Sequence, residues 1–111
     1  MYNKYKNKKV KANGVKYDSK KEAKRGLELK LMEKAKLISN LELQKRYELQ
    51  PSYTNNNGKH IRAIYYIADF VYYDNKQKKY IIEDVKGYRN EVYKLKKKLF
   101  EYKYNLVIKE I

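Results

Sequence analysis

Two aspartates within apolar segments are the residues whose type and position point most directly to chemistry. Asp69 interrupts the apolar run at residues 67–71, and Asp84 follows the two isoleucines at residues 81–82. An unpaired carboxylate is costly to bury, so each acid needs a partner or a function. Two carboxylates brought together form an oxygen site of the kind that Mg²⁺ takes in combination with water and phosphate.

A lysine two residues after Asp84 would complement such a site. Strand alternation puts Asp84 and Lys86 on one face and Glu83 and Val85 on the other, so Asp84 is favoured over Glu83 as the site acid. The ammonium could orient or activate a water, or stabilise charge on an attacked phosphate. We therefore expect Asp69, Asp84 and Lys86 to meet in one pocket open to solvent. The alternative is that Lys86 only forms a structural ion pair with one of the aspartates.

Two strands joined by a tight turn are predicted to position these acids. Residues 61–73 predict the longest strand, and both of its faces are largely apolar, which indicates a central strand covered on both sides. Strict alternation assigns its odd-numbered residues to one face and its even-numbered residues to the other. After a turn at residues 74–76, residues 80–86 predict the next strand. If the two strands are adjacent, Asp69 and Asp84 converge near their ends.

The first predicted helix runs from Ser19 to about residue 37 and offers a further acid. Ser19 and Glu22 form a capping box, in which Ser19 caps the helix and Glu22 reaches back to its backbone N–H. An apolar stripe at helical spacing is expected to face the core: Ala23, Leu27, Leu31, Ala35 and Ile38. A helical wheel puts Glu22 nearly opposite that stripe. Glu22 is therefore a cap alone, or a site acid if the helix end borders the site.

The remaining segments complete an α/β pattern. They predict a hairpin at residues 10–17 around Asn13 and Gly14, a strand at residues 41–49, a second helix from Asn90 to about residue 102 with Val92, Leu95 and Leu99 inward, and a last strand at residues 106–108. The order is hairpin, helix, three strands, helix and strand, which predicts one α/β layer with a mixed sheet. We expect a single domain over residues 1–111, with residues 1–8 forming a flexible basic arm.

Composition narrows the function classes. The 111 residues carry 28 Lys and Arg against 13 Asp and Glu, a formal net charge of +15, which favours a polyanionic partner such as nucleic acid. The lack of cysteine excludes a disulfide framework, a thiolate zinc site and a thiol nucleophile, and the single His60 excludes a multi-histidine metal site. No apolar run reaches the ~20 residues of a membrane span. We expect a cytoplasmic protein without membrane contact.

Three segments resemble the PD-(D/E)XK nuclease superfamily, and in particular its small phage-encoded proteins. They are the helix start at residues 17–23, the strand at residues 66–70 and the strand end at residues 83–87. The similarity extends from about residue 17 to residue 111, although Ala68 stands where the superfamily's name puts Pro. The resemblance implies a restriction-endonuclease-like fold and metal-dependent hydrolysis of DNA phosphodiester bonds.

The resemblance also implies roles for individual residues. Asp69, Asp84 and the main-chain carbonyl of Val85 would be ligands of Mg²⁺, with Mn²⁺ expected to substitute. Lys86 would be the catalytic lysine, and Glu22 a third acid contributed by the first helix. Gln44 is a further candidate to face the site.

DNA is the partner that these assignments predict. Lys94 and Lys98, one turn apart on the second helix, are candidates to hold phosphates, as are Lys20 and Lys21. No base-reading module is evident, so selection by DNA shape, such as a branch, flap or junction, is expected over sequence specificity. A role in phage recombination or replication follows from the resemblance alone, and a homodimer would supply two sites for cutting two strands. The alternatives are a non-catalytic nucleic-acid-binding protein and a regulator that docks on an acidic partner.

Overall fold

A computed structural model describes residues 9–12, 14–85 and 89–111 of the chain. In chain order the elements are β1 (Val10–Ala12), β2 (Val15–Tyr17), α1 (Lys20–Lys34), β3 (Ile38–Gln50), β4 (Tyr53–Thr54), β5 (His60–Ile61), β6 (Ile64–Asp74), β7 (Lys79–Asp84), α2 (Glu91–Tyr104) and β8 (Ile108–Glu110). The main sheet has the order β3-β6-β7-β8, antiparallel except for the parallel pair β7 and β8. The protein is therefore mixed α/β, with a mixed sheet of four strands and two helices.

The order of the main elements is the predicted one, with the small β4–β5 hairpin in addition. The predicted hairpin is present as β1 and β2, with Gly14 at a φ of 78°. Several predicted features lie outside the described residues: the arm at residues 1–8, the turn residue Asn13, and Lys86 with Gly87. Neither helix of the described ranges is long and apolar enough to cross a membrane.

Each face of the main sheet carries its own hydrophobic cluster. The α1 side contains Tyr17, Ala23, Leu29, Ile38, Phe70, Tyr72 and Val85. The α2 side contains Tyr66, Ala68, Val71, Ile82, Tyr93, Phe100 and Ile108. Residues of β6 occur in both clusters, so the prediction of a central strand covered on both sides is confirmed for its middle portion. Closer to β5, the side chains of Ile64 and Ile67 are exposed.

The buried face of α1 differs from the predicted apolar stripe. Glu22, Ala23, Gly26 and Leu29 are buried, whereas Leu31 is 68% exposed. The helix lies close to β2 because Gly26 has no side chain: a Cβ there would be 2.6 Å from the hydroxyl of Tyr17. The predicted stripe is therefore right at Ala23 and Ile38, which are buried, and wrong at Leu31 and Ala35, which are exposed. A hydrophobicity pattern does not identify a glycine or a glutamate as inward-facing.

The inward face of α2 was also predicted wrongly. The buried residues are Tyr93 and Phe100, and the apolar side chains of Val92, Leu95 and Leu99 are exposed. Aromatic side chains occupy the inner position because their rings pack on one another, with Phe100 and Tyr66 centroids 5.1 Å apart. The expected cap is present, since Asn90 Oδ1 accepts a hydrogen bond from the Tyr93 N–H at 2.8 Å.

Strand β3 forms one edge of the main sheet and is irregular along its length. Asn40 and Gln44 have φ values of 56° and 54°, in the left-handed region that interrupts regular pairing. The register with β6 shifts between Ser39 and Glu42, around Asn40. The irregularity at Gln44 bears directly on the predicted site.

Candidate functional site

The strands β3 and β6 both reverse the direction of their side chains at the same level. The pairs Leu43–Phe70 and Lys45–Ala68 keep one register, but Gln44 and Asp69 between them are not paired in the ladder. The reversal shows in the two hydrophobic clusters, because residues an even number of positions apart should share a face but do not. On β3, Leu41 and Leu43 pack on the α1 side, whereas Tyr47 and Leu49 pack on the α2 side. On β6, Phe70 and Tyr72 pack on the α1 side, whereas Tyr66 and Ala68 pack on the α2 side. Strict alternation along β6, as predicted from the sequence, is therefore wrong at Asp69.

Asp69 lies buried where β6 and β7 stop pairing. Its side chain is 3% exposed, and its Oδ2 accepts a hydrogen bond from the Val85 N–H at 2.7 Å. The last ladder pair is Phe70–Glu83, so the same register puts Asp69 across from Asp84 one step further. Asp84 is the last residue of β7, whereas Asp69 lies in the middle of β6, and the convergence of their carboxylates stays a prediction.

Asp84 is held at the end of β7 by contacts on both sides. It is completely buried, its Oδ2 accepts a hydrogen bond from the Tyr66 hydroxyl at 2.7 Å, and its main-chain oxygen accepts one from the Ile111 N–H at 3.0 Å. Burial, and then the charge of Asp84, raises the pKa of Tyr66 far above its usual value, with a smaller contribution from Asp69. The Tyr66 hydroxyl therefore lies within the electrostatic reach of both carboxylates.

Glu22 joins the same group of acids from the start of α1. It is 3% exposed; Gln44 Nε2 donates to its Oε2 at 2.9 Å and lies 3.4 Å from Asp69 Oδ1. Burial, followed by the charge of Asp69, raises the pKa of Glu22 to about 8. At neutral pH this carboxyl group therefore holds a proton. Ser19 Oγ caps the helix as predicted, at 3.1 Å from the Glu22 N–H.

Glu83 serves a different purpose from its neighbour Asp84. Arg25 binds both of its carboxylate oxygens, at 2.8 and 2.6 Å, and Tyr72 donates a hydrogen bond to it. The hydrogen bonds that Arg25 donates to Glu83, together with the negative charge of Glu83, raise the pKa of Arg25, although burial alone would lower it. Glu83 therefore belongs to a fork-shaped ion pair on the α1 side, while Asp84 points to the α2 side, as alternation along β7 predicted.

The three acids do not form a ready metal cluster. Within residues 9–12, 14–85 and 89–111, no group of three or more Asp, Glu or His side chains is arranged to hold a metal ion. Two grooves, of about 600 and 510 Å³, are lined by other residues. The expectation that Asp69, Asp84 and Lys86 share a solvent-open pocket stays a prediction, because Lys86 lies outside the described residues.

The predicted phosphate-binding lysines lie at the surface. Lys94 and Lys98 are exposed and line the groove of about 510 Å³ together with Arg89 and Lys97. Lys94 pairs loosely with Glu91 at 3.4 Å. Lys20 and Lys21 are exposed at the start of α1, and Lys21 Nζ donates to the main-chain oxygen of Ile111 at 2.8 Å.

Sequence reasoning identified the acids better than their partners. The sequence did not predict that the Tyr66 hydroxyl binds Asp84 or that Arg25 is the partner of Glu83. The sequence signal for Arg25 is weak. Glu83, next to Asp84 in an apolar strand, needs a cationic partner, and only four arginines are present in the chain to bind a carboxylate through two nitrogens. Gln44 was named only as a further candidate, and it is the residue that contacts both Glu22 and Asp69.

Comparison with known proteins yields a single relationship. No curated protein and no solved structure matches this chain. One family model, described as "Protein of unknown function (DUF1064)", matches residues 2–110, and so nearly the whole chain. The chain therefore belongs to the DUF1064 family.

Proposed function

We propose that this protein is a Mg²⁺-dependent DNA endonuclease of the PD-(D/E)XK type, with a restriction-endonuclease-like fold. It hydrolyses phosphodiester bonds in branched, flap or junction DNA. The observation that supports the proposal is the position of Asp69 and Asp84, which directly follow the last pair of β6 and β7, Phe70–Glu83. Both acids are buried, and the α1 acid Glu22 lies beside Asp69.

The donor set fits a hard divalent cation. Asp69, Asp84 and the main-chain carbonyl of Val85 would hold Mg²⁺, because all three offer oxygen ligands and Mg²⁺ is usually bound by one or two carboxylates plus water and substrate phosphate. When bound there, the ion supplies Lewis-acid activation of a phosphate oxygen and of water. Mn²⁺ would substitute because it accepts the same oxygen ligands.

Hydrogen bonds within the protein fix the orientation of both proposed carboxylate ligands. The Val85 N–H fixes one oxygen of Asp69, and the Tyr66 hydroxyl fixes one oxygen of Asp84. Glu22 is the third acid, linked to Asp69 through the Gln44 amide. Lys86, outside the described residues, is proposed to stabilise charge on the attacked phosphate. Lys94 and Lys98 on α2, with Lys20 and Lys21 on α1, would bind the DNA backbone.

The test is cleavage by the wild-type protein and by Asp84→Asn. Linear, single-stranded, flap and four-way-junction DNA would be incubated with Mg²⁺, Mn²⁺ or EDTA. We expect cleavage that depends on the cation and falls at least about 100-fold in Asp84→Asn, with DNA binding in EDTA unchanged. Glu42→Gln, which removes the same charge at an exposed position of β3, should cleave normally.

Metal binding provides a second readout that does not depend on turnover. Titration of Mn²⁺ should give heat of binding for the wild type and Glu42→Gln, and none for Asp84→Asn of equal thermal stability. Full activity of Asp84→Asn, or cleavage that continues in EDTA, would contradict the nuclease assignment.

A second candidate function is supported by the outer surface of α2. Its side chains Val92, Leu95, Leu99 and Tyr102 are exposed at helical spacing, and Lys94 and Lys98 flank them. An apolar stripe beside lysines suits a regulator that docks on an acidic protein. This function predicts no cation-dependent cleavage of any DNA and no effect of Asp84→Asn on partner binding, the reverse of the nuclease results.

A further inference from the structure

The two long strands extend past α1 as an arm that we define as residues 45–68. Helix α1 begins near Gln44 and Asp69, since Glu22 in its first turn contacts Gln44. Beyond this level α1 no longer covers the sheet, although α2 still packs on the other side through Tyr47 and Tyr66. The uncovered side presents Arg46, Glu48, Tyr65 and Ile67, which we call the open face; all but Tyr65 are exposed.

The end of this arm is an ordered turn. The side-chain oxygen of Asn55 accepts hydrogen bonds from the N–H groups of Asn57 and Lys59, at 2.9 and 3.0 Å. The Asn55 N–H donates to the Lys59 oxygen at 2.9 Å, and Gly58 closes the turn at a φ of 78°. The side chains at this tip are therefore presented on a framed backbone, which lowers the entropy lost when they bind a ligand.

The charged side chains in the outer part of the arm, residues 49–68, are all basic. Residues 49–68 contain no Asp or Glu, whereas they include Lys59, His60 and Arg62, all exposed. Nearer the acids, the Arg46 guanidinium lies over the Tyr65 ring, 4.2 Å from its centroid, and Glu48 is the single acid of the open face. The position best suited to an anion is therefore the tip.

We propose that the arm is a DNA-binding element in which Lys59 and Arg62 hold phosphates of duplex DNA to one side of the scissile bond. This inference rests on the proposed nuclease function. From Arg62 to Asp69 is about seven residues, which span at most about 23 Å at about 3.3 Å per residue. At about 3.4 Å for each nucleotide along a strand, the tip contacts phosphates about seven base pairs from the acids. A two-stranded ribbon is also an element that the major groove of B-DNA admits.

The test compares two double variants. Lys59→Ala/Arg62→Ala removes two cations from the tip, and Lys76→Ala/Lys79→Ala removes two exposed cations from the opposite end of β6 and β7. Binding to a duplex and to a single strand of the same length is measured in EDTA over a range of salt concentrations. We expect the tip variant to bind the duplex about 10-fold more weakly, with the salt slope reduced by about two units because each lost phosphate contact removes about 0.9.

Each outcome decides the matter. An equal loss of DNA affinity in the two double variants would mean a general charge effect, which overturns the inference. An equal loss of affinity for the duplex and for the single strand would mean that the arm does not bind duplex DNA, which overturns it too. An unchanged affinity in the tip variant overturns it as well. In a series of duplexes shortened from one end, wild-type affinity should fall below about seven base pairs, and the tip variant should lose this length dependence. Because binding is measured in EDTA, these results stand apart from the Asp84→Asn cleavage test, in which the nuclease assignment fails by itself.

Discussion

Gln44 and Asp69 face each other across β3 and β6 at the level where both strands turn their side chains to the opposite side of the sheet. Because each strand has one unpaired residue at this level, the register is the same on both sides of it, and the strands pair at Leu43–Phe70 and again at Lys45–Ala68. Their effect is local: the amide of Gln44 comes within 2.9 Å of Glu22 and 3.4 Å of Asp69. One paired irregularity thus collects side chains from α1, β3 and β6 beside the end of β7.

The protonated Glu22 predicts a pH dependence of stability. The unfolded chain loses this proton near the usual value of 4.5, whereas the folded protein holds it to about pH 8. The stability from this group is therefore complete below about pH 4.5 and is lost as the pH rises to about 8. Glu22→Gln should remove this dependence and raise the free energy of unfolding at pH 8 by up to about 5 kcal/mol, because the pKa of Glu22 rises from 4.5 to about 8 and each pKa unit corresponds to about 1.4 kcal/mol.

Urea denaturation of the wild type and Glu22→Gln at pH 4.5, 6 and 8 would measure the effect. Glu33→Gln, at an exposed position of the same helix, is the control and should follow the wild-type profile. Parallel profiles for wild type and Glu22→Gln would mean that Glu22 is ionised in the folded protein.

The ion pair between Arg25 and Glu83 predicts a large loss of stability when only one partner is removed. Arg25→Ala leaves the fully buried Glu83 carboxylate without its bidentate partner, which should cost about 3 kcal/mol. Arg25→Met combined with Glu83→Leu should recover most of this loss, because no charge remains buried. Midpoints of chemical denaturation measure both; a double variant less stable than Arg25→Ala would refute this account.

The orientation of α2 predicts opposite responses at two of its apolar positions. Leu95 is 60% exposed, so Leu95→Ser should change the free energy of unfolding by less than about 0.5 kcal/mol. Phe100 is fully buried, and Phe100→Ala should cost about 3–5 kcal/mol. Thermal melts of the two variants provide the comparison. A large loss of stability in Leu95→Ser would mean that Leu95 faces the core, as the hydrophobic pattern predicts.

Close packing at Gly26 predicts that a better helix former will destabilise the protein. Alanine is favoured over glycine in a helix by about 1 kcal/mol, but its Cβ would lie 2.6 Å from the buried Tyr17 side chain. We expect Gly26→Ala to lower the midpoint of thermal unfolding. Lys24→Ala, at an exposed position of the same helix, is the control for helix propensity and should leave the midpoint nearly unchanged. A stabilised Gly26→Ala would show that Tyr17 yields easily.

The element order and the two aspartates could be predicted from the sequence because their signals are local. Turn residues, helix caps and apolar strands each depend on a few neighbouring residues, and an acid inside an apolar run stands out by itself. The caps at Ser19 and Asn90 were correct for the same reason.

The inward faces and the partners of the acids depend on contacts between distant segments. Gly26 faces inward because Tyr17 packs on it, and Phe100 replaces Leu95 in the core because Tyr47 and Tyr66 meet its ring. The side-chain reversal at Gln44 requires a matching residue on β6, which no single strand pattern contains. Hydrophobic periodicity carries none of this information.

Asn40, the other left-handed residue of the edge strand β3, has a consequence for the behaviour of the protein at high concentration. A bare strand of 13 residues would normally invite another chain to extend the sheet. An added strand aligned to β3 would meet breaks at Asn40 and Gln44 and would retain only short runs of hydrogen bonds between them. The kink at Gln44 that assembles the acidic group, together with the kink at Asn40, thereby also makes this edge strand a poor template for fibril growth.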